Sequence, residues 1–99
     1  MLESSLEQSL RKYAVRCGGK AYKWVSPGCT GVPDRIFIFP GGKVIFAELK
    51  RPGVKDGRSP RQKKVGRDLQ RLGVNIWLIN DRTDFIERLK KLGVEPLDI

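Results

Sequence analysis

At 99 residues, 39% of them hydrophobic and 31% charged, the chain has room for one soluble domain with a single modest core. Its 20 Lys and Arg outnumber 11 Asp and Glu, for a net charge of +9 and a pI near 10.0. That excess favours an anionic partner, nucleic acid ahead of an anionic membrane or an acidic protein. Histidine is absent, which excludes serine–histidine triads, histidine–zinc sites and histidine-based nucleases. Catalysis is left to carboxylates, lysine and a hard metal ion.

No apolar stretch approaches the ~20 residues of a membrane span, and the opening "MLESSLEQSL" lacks a charged-then-apolar leader pattern. The expected location is the cytoplasm. Cys17 and Cys29 fit that compartment as free thiols and lack metal-type spacing.

In chain order, the first helix is expected from about Ser4 to Cys17. Ser4 and Glu7 form a capping-box pattern, and Leu6, Leu10, Tyr13, Ala14 and Cys17 recur at helical spacing. Gly18 and Gly19 supply the stop. "KAYKWV" (20–25) reads as a short strand, followed by a loop, "SPGCTGVP". "DRIFIF" and "KVIFAELK" read as strands joined by Pro40-Gly41-Gly42 as a hairpin. "RPGVKDGRSP" is expected to be a mobile loop. A second helix opens with Ser59 as cap and Pro60 at its first position, buries Val65, Leu69 and Leu72, and ends at Gly73. "VNIWLI" is apolar enough for a strand covered on both faces. After Asn80-Asp81, a third helix carries Phe85, Ile86, Leu89 and Leu92 to Gly93. The order α-β-β-β-α-β-α predicts a single α/β domain with helices packed on a mixed sheet.

The charges of the hairpin fall at one end. Glu48 and Lys50 are two apart on a strand, so they share a face with Val44 and Phe46. That face is expected to be largely buried, although a strand end emerging into solvent would explain a lone charged pair equally simply. Asp34 opens the partner strand, and Pro33 stiffens its approach. Pairing about the Pro40–Gly42 turn sets Asp34 beside residues 48 to 50. Two carboxylates so close repel one another unless a divalent cation lies between them. Oxygen ligands, with no cysteine or histidine nearby, point to Mg²⁺ or Mn²⁺ rather than zinc.

Basic residues cluster just downstream. Between Lys50 and Arg71, nine Lys and Arg face two acids, Asp56 and Asp68. Arg51, Lys55, Arg58, Arg61, Lys63 and Lys64 are the candidate phosphate contacts, against the plainer reading of a solvated helix face. Tyr22 and Trp24 are candidates for stacking on bases, with core packing the alternative for Trp24.

"GVPD", an apolar hairpin and "ELK" together resemble the PD-(D/E)xK nuclease superfamily, Pro33-Asp34 matching its first half and Glu48-Leu49-Lys50 its second. Adding Glu7 on the first helix and "SPRQ" at the second, the chain resembles the VRR-NUC branch, in its short stand-alone phage or bacterial form, from about Glu3 to Leu89. The resemblance implies a restriction-endonuclease-like core and a metal held by Asp34, Glu48, the Leu49 carbonyl and Glu7. It also implies Lys50 and Gln62 beside the reacting groups, and products with 5′-phosphate and 3′-hydroxyl ends. For Glu7 and Gln62 a capping role is the competing reading. The expected activity is a homodimeric, Mg²⁺-dependent, structure-selective DNA endonuclease, like a Holliday junction resolvase. The alternatives are a flap, fork or duplex-end nuclease of the same fold, or a catalytically silent DNA-binding module.

Overall fold

The structure, a computed structural model, describes residues 3–50 and 57–97. Seven elements follow in the expected order: α1 (Glu3–Arg16), β1 (Lys20–Lys23), β2 (Arg35–Phe39), β3 (Lys43–Leu49), α2 (Pro60–Arg71), β4 (Asn75–Ile79) and α3 (Arg82–Lys91). The strands form one sheet in the order β1-β2-β3-β4. β1–β2 and β2–β3 are antiparallel hairpin neighbours, whereas β3–β4 is parallel. A parallel pair needs a long crossover, and α2 supplies it.

The helix ends follow from local chemistry. Gly18 adopts the left-handed backbone (φ 79°) that ends α1. Its N–H donates to the Val15 carbonyl at 2.9 Å and that of Gly19 to the Ala14 carbonyl at 2.8 Å, which satisfies the last carbonyls of the helix. Asp81 caps α3 by accepting from the Thr83 N–H at 3.1 Å.

Paired residues in neighbouring strands point to the same face, so the register sorts the sheet into two sides. Phe37 and Phe39 of β2, Ile45, Ala47 and Leu49 of β3, and Trp77 and Ile79 of β4 all look toward α1 and α3. They meet Leu6, Leu10, Tyr13, Ala14 and Cys17 of the first helix and its end, and Phe85 and Leu89 of α3. Phe85 is the hub, with ring centroids 4.9 Å from Phe37, 6.2 Å from Trp77 and 6.5 Å from Tyr13. Each such large side chain, fully buried, contributes about 1.5–3 kcal/mol. Burial pushes both the Tyr13 hydroxyl and the Cys17 thiol above their ordinary pKa values, so both serve this core as neutral groups.

The other side carries Ile36, Phe46, Glu48, Ile76 and Leu78. Here α2 packs on β4 through Gly66, its one buried residue, where an added Cβ would lie 3.8 Å from Ile76 Cγ2, in ordinary contact. β4 is therefore covered from both sides, as its composition predicts.

Four expectations change. Ser4 lies inside α1, not at its cap. β1 stops at Lys23, and Trp24 and Val25 continue without strand structure. The face shared by Val44, Phe46 and Glu48 is not the principal core: Val44 and Phe46 are half-buried, while Ile45 and Ala47 are fully buried. The apolar stripe of α2 is shallow, with Val65 and Leu69 half-buried and Leu72 79% exposed. Leu72 is the C-cap residue, where helical spacing no longer aims a side chain at the sheet.

Candidate active site

The segment leading into β2 is held from two directions. Pro33 is buried, and Gly31 has φ +90°, a left-handed conformation that any L side chain resists. A Cβ at Gly31 would also meet Arg61 Cγ at 2.8 Å and the Arg61 backbone at 3.1 Å. The "GVPD" segment is thus seated against the first turn of α2. Arg61 reinforces this by donating from Nε to the Thr30 carbonyl at 3.3 Å.

Asp34 stands one residue before β2, and its carbonyl accepts from the Trp24 N–H at 2.9 Å. Its side chain crosses to β3, where Oδ2 accepts from the Leu49 N–H at 3.1 Å. The register Arg35↔Ala47, extended by one residue, sets Asp34 opposite Glu48. Glu48 is 2% exposed and is the one buried charged side chain among the described residues; its Oε2 is fully enclosed. Lys50 follows immediately after β3. Its N–H donates to the Ile79 carbonyl at 2.9 Å, and its side chain is half-buried. Asp34, Glu48 and Lys50 are therefore brought to one end of the hairpin.

Glu7 takes a different place. Its Oε1 lies 3.7 Å from Arg35 Nε, and Arg35 pairs with Ala47, on the α1 side of the sheet. Arg35 also reaches the Asp34 carbonyl through Nη1 at 3.4 Å. Glu7 is tied to the site through Arg35, and no three His, Cys, Asp or Glu among the described residues gather closely enough to hold a metal ion. Gln62 makes a capping box with Ser59: Gln62 N–H donates to Ser59 Oγ at 3.1 Å, and Ser59 N–H donates to Gln62 Oε1 at 2.9 Å.

Of the candidate phosphate contacts, Arg51 and Lys55 lie outside the described residues, as does most of the segment expected to be a mobile loop. Arg58 and Lys63 are half-buried. Arg61 is exposed but engaged with the Thr30 carbonyl, and its Nη2 lies 3.8 Å from Cys29 Sγ. Lys64 pairs with Asp68 at 2.9 Å, which, with Arg71 at 3.7 Å, makes a surface cluster on α2. The Lys64 hydrogen bond holds the Asp68 carboxyl below its usual range. Trp24 packs on Phe46 with ring centroids 5.0 Å apart.

A carboxylate enclosed beside a second one fits a hard divalent cation, and the donor set of Asp34 and Glu48 contains no soft ligand. Sequence reasoning missed Arg35 and the seating of Gly31 on Arg61. The glycine before Val32-Pro33 carried a signal for the second; nothing local signalled the first.

A scan against protein-family models finds no match. Among curated proteins, the chain is 41% identical over 80 residues to "Putative nuclease p44" of Acyrthosiphon pisum secondary endosymbiont phage 1, an alignment spanning 81% of this chain and 84% of that one. Among solved structures, it is similar to a VRR_NUC domain with a TM-score of 0.79, over 92% of this chain and 97% of the other, at 20% identity. The chain therefore belongs to the same family as the phage putative nuclease p44, and its fold is that of a VRR_NUC domain.

Proposed function

We propose that the protein is a metal-dependent, structure-selective DNA endonuclease that works on branched DNA as a homodimer, in the manner of a Holliday junction resolvase. Nuclease chemistry is supported by the phage relative's name and by the fold. The observation that carries the reading to this site is the hairpin end, where Asp34 is anchored on the Leu49 N–H at 3.1 Å beside the enclosed Glu48.

In this reading Asp34 and Glu48 hold Mg²⁺ or Mn²⁺ together with the Leu49 carbonyl. When bound, such an ion lowers the pKa of a coordinated water and offsets charge on the scissile phosphate. The protein's own groups do the rest. The Leu49 N–H fixes the Asp34 carboxylate, so one oxygen is committed to the backbone and the rotamer is set. Burial denies Glu48 competing water. Lys50, with its backbone pinned to β4, presents an ammonium beside the carboxylates, where it orients the attacking water or a phosphate oxygen. Glu7 acts through Arg35 by steadying the Asp34 segment, and Gln62 by fixing the first turn of α2 behind Gly31.

The net +9 charge supports phosphate binding, and so small a surface suits recognition of DNA shape more than of base sequence. Two symmetric copies would suit paired nicks in a four-way junction. The test uses labelled junction, flap and linear duplex with wild type, Asp34→Asn and Lys50→Ala, with and without Mg²⁺. The expected result is Mg²⁺-dependent cleavage of branched substrates that both substitutions suppress. Cleavage unchanged in both variants would remove the site from this reading. Tight binding with no cleavage of any substrate would favour a silent DNA-binding module.

A further inference from the structure

The sheet face that carries Asp34 and Glu48 is only partly covered. Its cross-strand rows can be followed from the register. The Trp24 N–H bonds the Asp34 carbonyl, and Asp34 stands opposite Glu48, which pairs with Leu78. One step along the strands, Tyr22 pairs with Ile36, Ile36 with Phe46, and Phe46 with Ile76. One step further, Lys20 pairs with Ile38 and Ile38 with Val44. α2 closes over β4 through Gly66. Away from it the rows come to the surface: Tyr22 is 52% and Ile38 41% exposed, and Ile36, Val44, Trp24 and Phe46 are half-buried.

The geometry points to this open strip as a platform for unpaired bases of the DNA substrate, with Tyr22 as its stacking residue. The inference rests on the endonuclease reading and adds to it a substrate class, branched DNA with unstacked bases next to the cut. Tyr22 stands one row from Asp34, about 7 Å along the strands and about 5 Å across them. That is one to two nucleotides from a phosphate held at the carboxylates, at about 3.4 Å or more per nucleotide. Trp24, ring against Phe46, extends the aromatic surface into the Asp34 row itself. Charge selects the occupant. On the strip's own face the charged residues are Lys20, Lys50, Asp34 and Glu48, whereas Lys23, Arg35 and Lys43 fall in the rows of the α1 side. An apolar, aromatic strip with a lysine at each end complements a nucleic acid that presents both base faces and phosphates.

The test uses flap DNA carrying 2-aminopurine in the unpaired arm at the branch, and the matching blunt duplex, bound to Asp34→Asn protein so that the DNA stays uncut. Tyr22→Ala, Tyr22→Leu and Tyr22→Phe are compared in that background. Base–aromatic stacking predicts quenching of the probe and a preference for flap over duplex that falls about tenfold in the Ala and Leu variants but is kept by Phe. Leu performing as well as Phe, or a preference unmoved by Ala, would overturn the platform. So would a change in solution mass on Tyr22→Ala with the preference intact, which would make the strip a contact between copies. Because the readout is binding to uncut DNA, it judges the platform separately from the cleavage assay that judges the endonuclease reading.

Discussion

The two sides of the sheet are built to different standards. Toward α1 and α3, Phe37, Ile45, Ala47, Leu49, Ile79, Phe85 and Leu89 are all almost completely enclosed. Toward α2, the cover is a helix whose one buried residue is a glycine, and the enclosed side chain at the end of β3 is a carboxylate. One side is a close-packed interior that tolerates little change in volume. The other buries a charge and, under α2, Ile76, and leaves Ile36, Val44 and Phe46 half open. In the proposed reading, stability and chemistry are divided between opposite faces of the same seven-residue strand β3, with alternate residues serving each.

Substitutions can break or sharpen that division. The largest effects are expected as a contrasting pair. Phe85→Ala removes the ring shared by Phe37, Trp77 and Tyr13 and should cost about 3–5 kcal/mol in denaturant unfolding. Asp34→Asn keeps an acceptor for the Leu49 N–H and should leave the unfolding midpoint nearly unchanged while reducing cleavage about 10²–10³-fold. If Asp34→Asn unfolds the protein instead, the chemical face is also structural and the division fails. Next, Gly31→Ala forces a side chain into a φ of +90° and against Arg61. It should destabilise by about 1–3 kcal/mol and also slow cleavage, because it displaces the segment that carries Asp34. Ser59→Ala removes the cap of α2 and should cost about 1 kcal/mol by thermal unfolding. The smallest effect is at Leu72, where Leu72→Lys should stay within about 0.5 kcal/mol of wild type despite the apolar residue it removes.

The element order was legible because each helix and strand carries its own period and its own stop. So was the meeting of Asp34 with Glu48 and Leu49, since a tight hairpin turn leaves one register for residues on either side of it. The identity of the core face was not legible. In β3 both alternating sets, Val44 with Phe46 and Ile45 with Ala47, are apolar, and only the packing of α1 and α3 chooses between them. The partner of Glu7 was hidden for a related reason. Which way a helical glutamate faces the sheet depends on the rotation of α1 over β2, set by contacts with α3 and β3 far along the chain. Leu72 misled because its spacing from Val65 and Leu69 is helical, and spacing alone does not register that the helix has ended.

The hydrogen bond from Leu49 to Asp34 joins residues fifteen positions apart, and what it needs is the hairpin between them. A contact of such short sequence separation forms early and asks little of the rest of the chain. Insertions before β1 or after α2 would leave it intact, so the pairing of the two carboxylates can be inherited as a unit. The helices around it are then free to diverge without disturbing that pair.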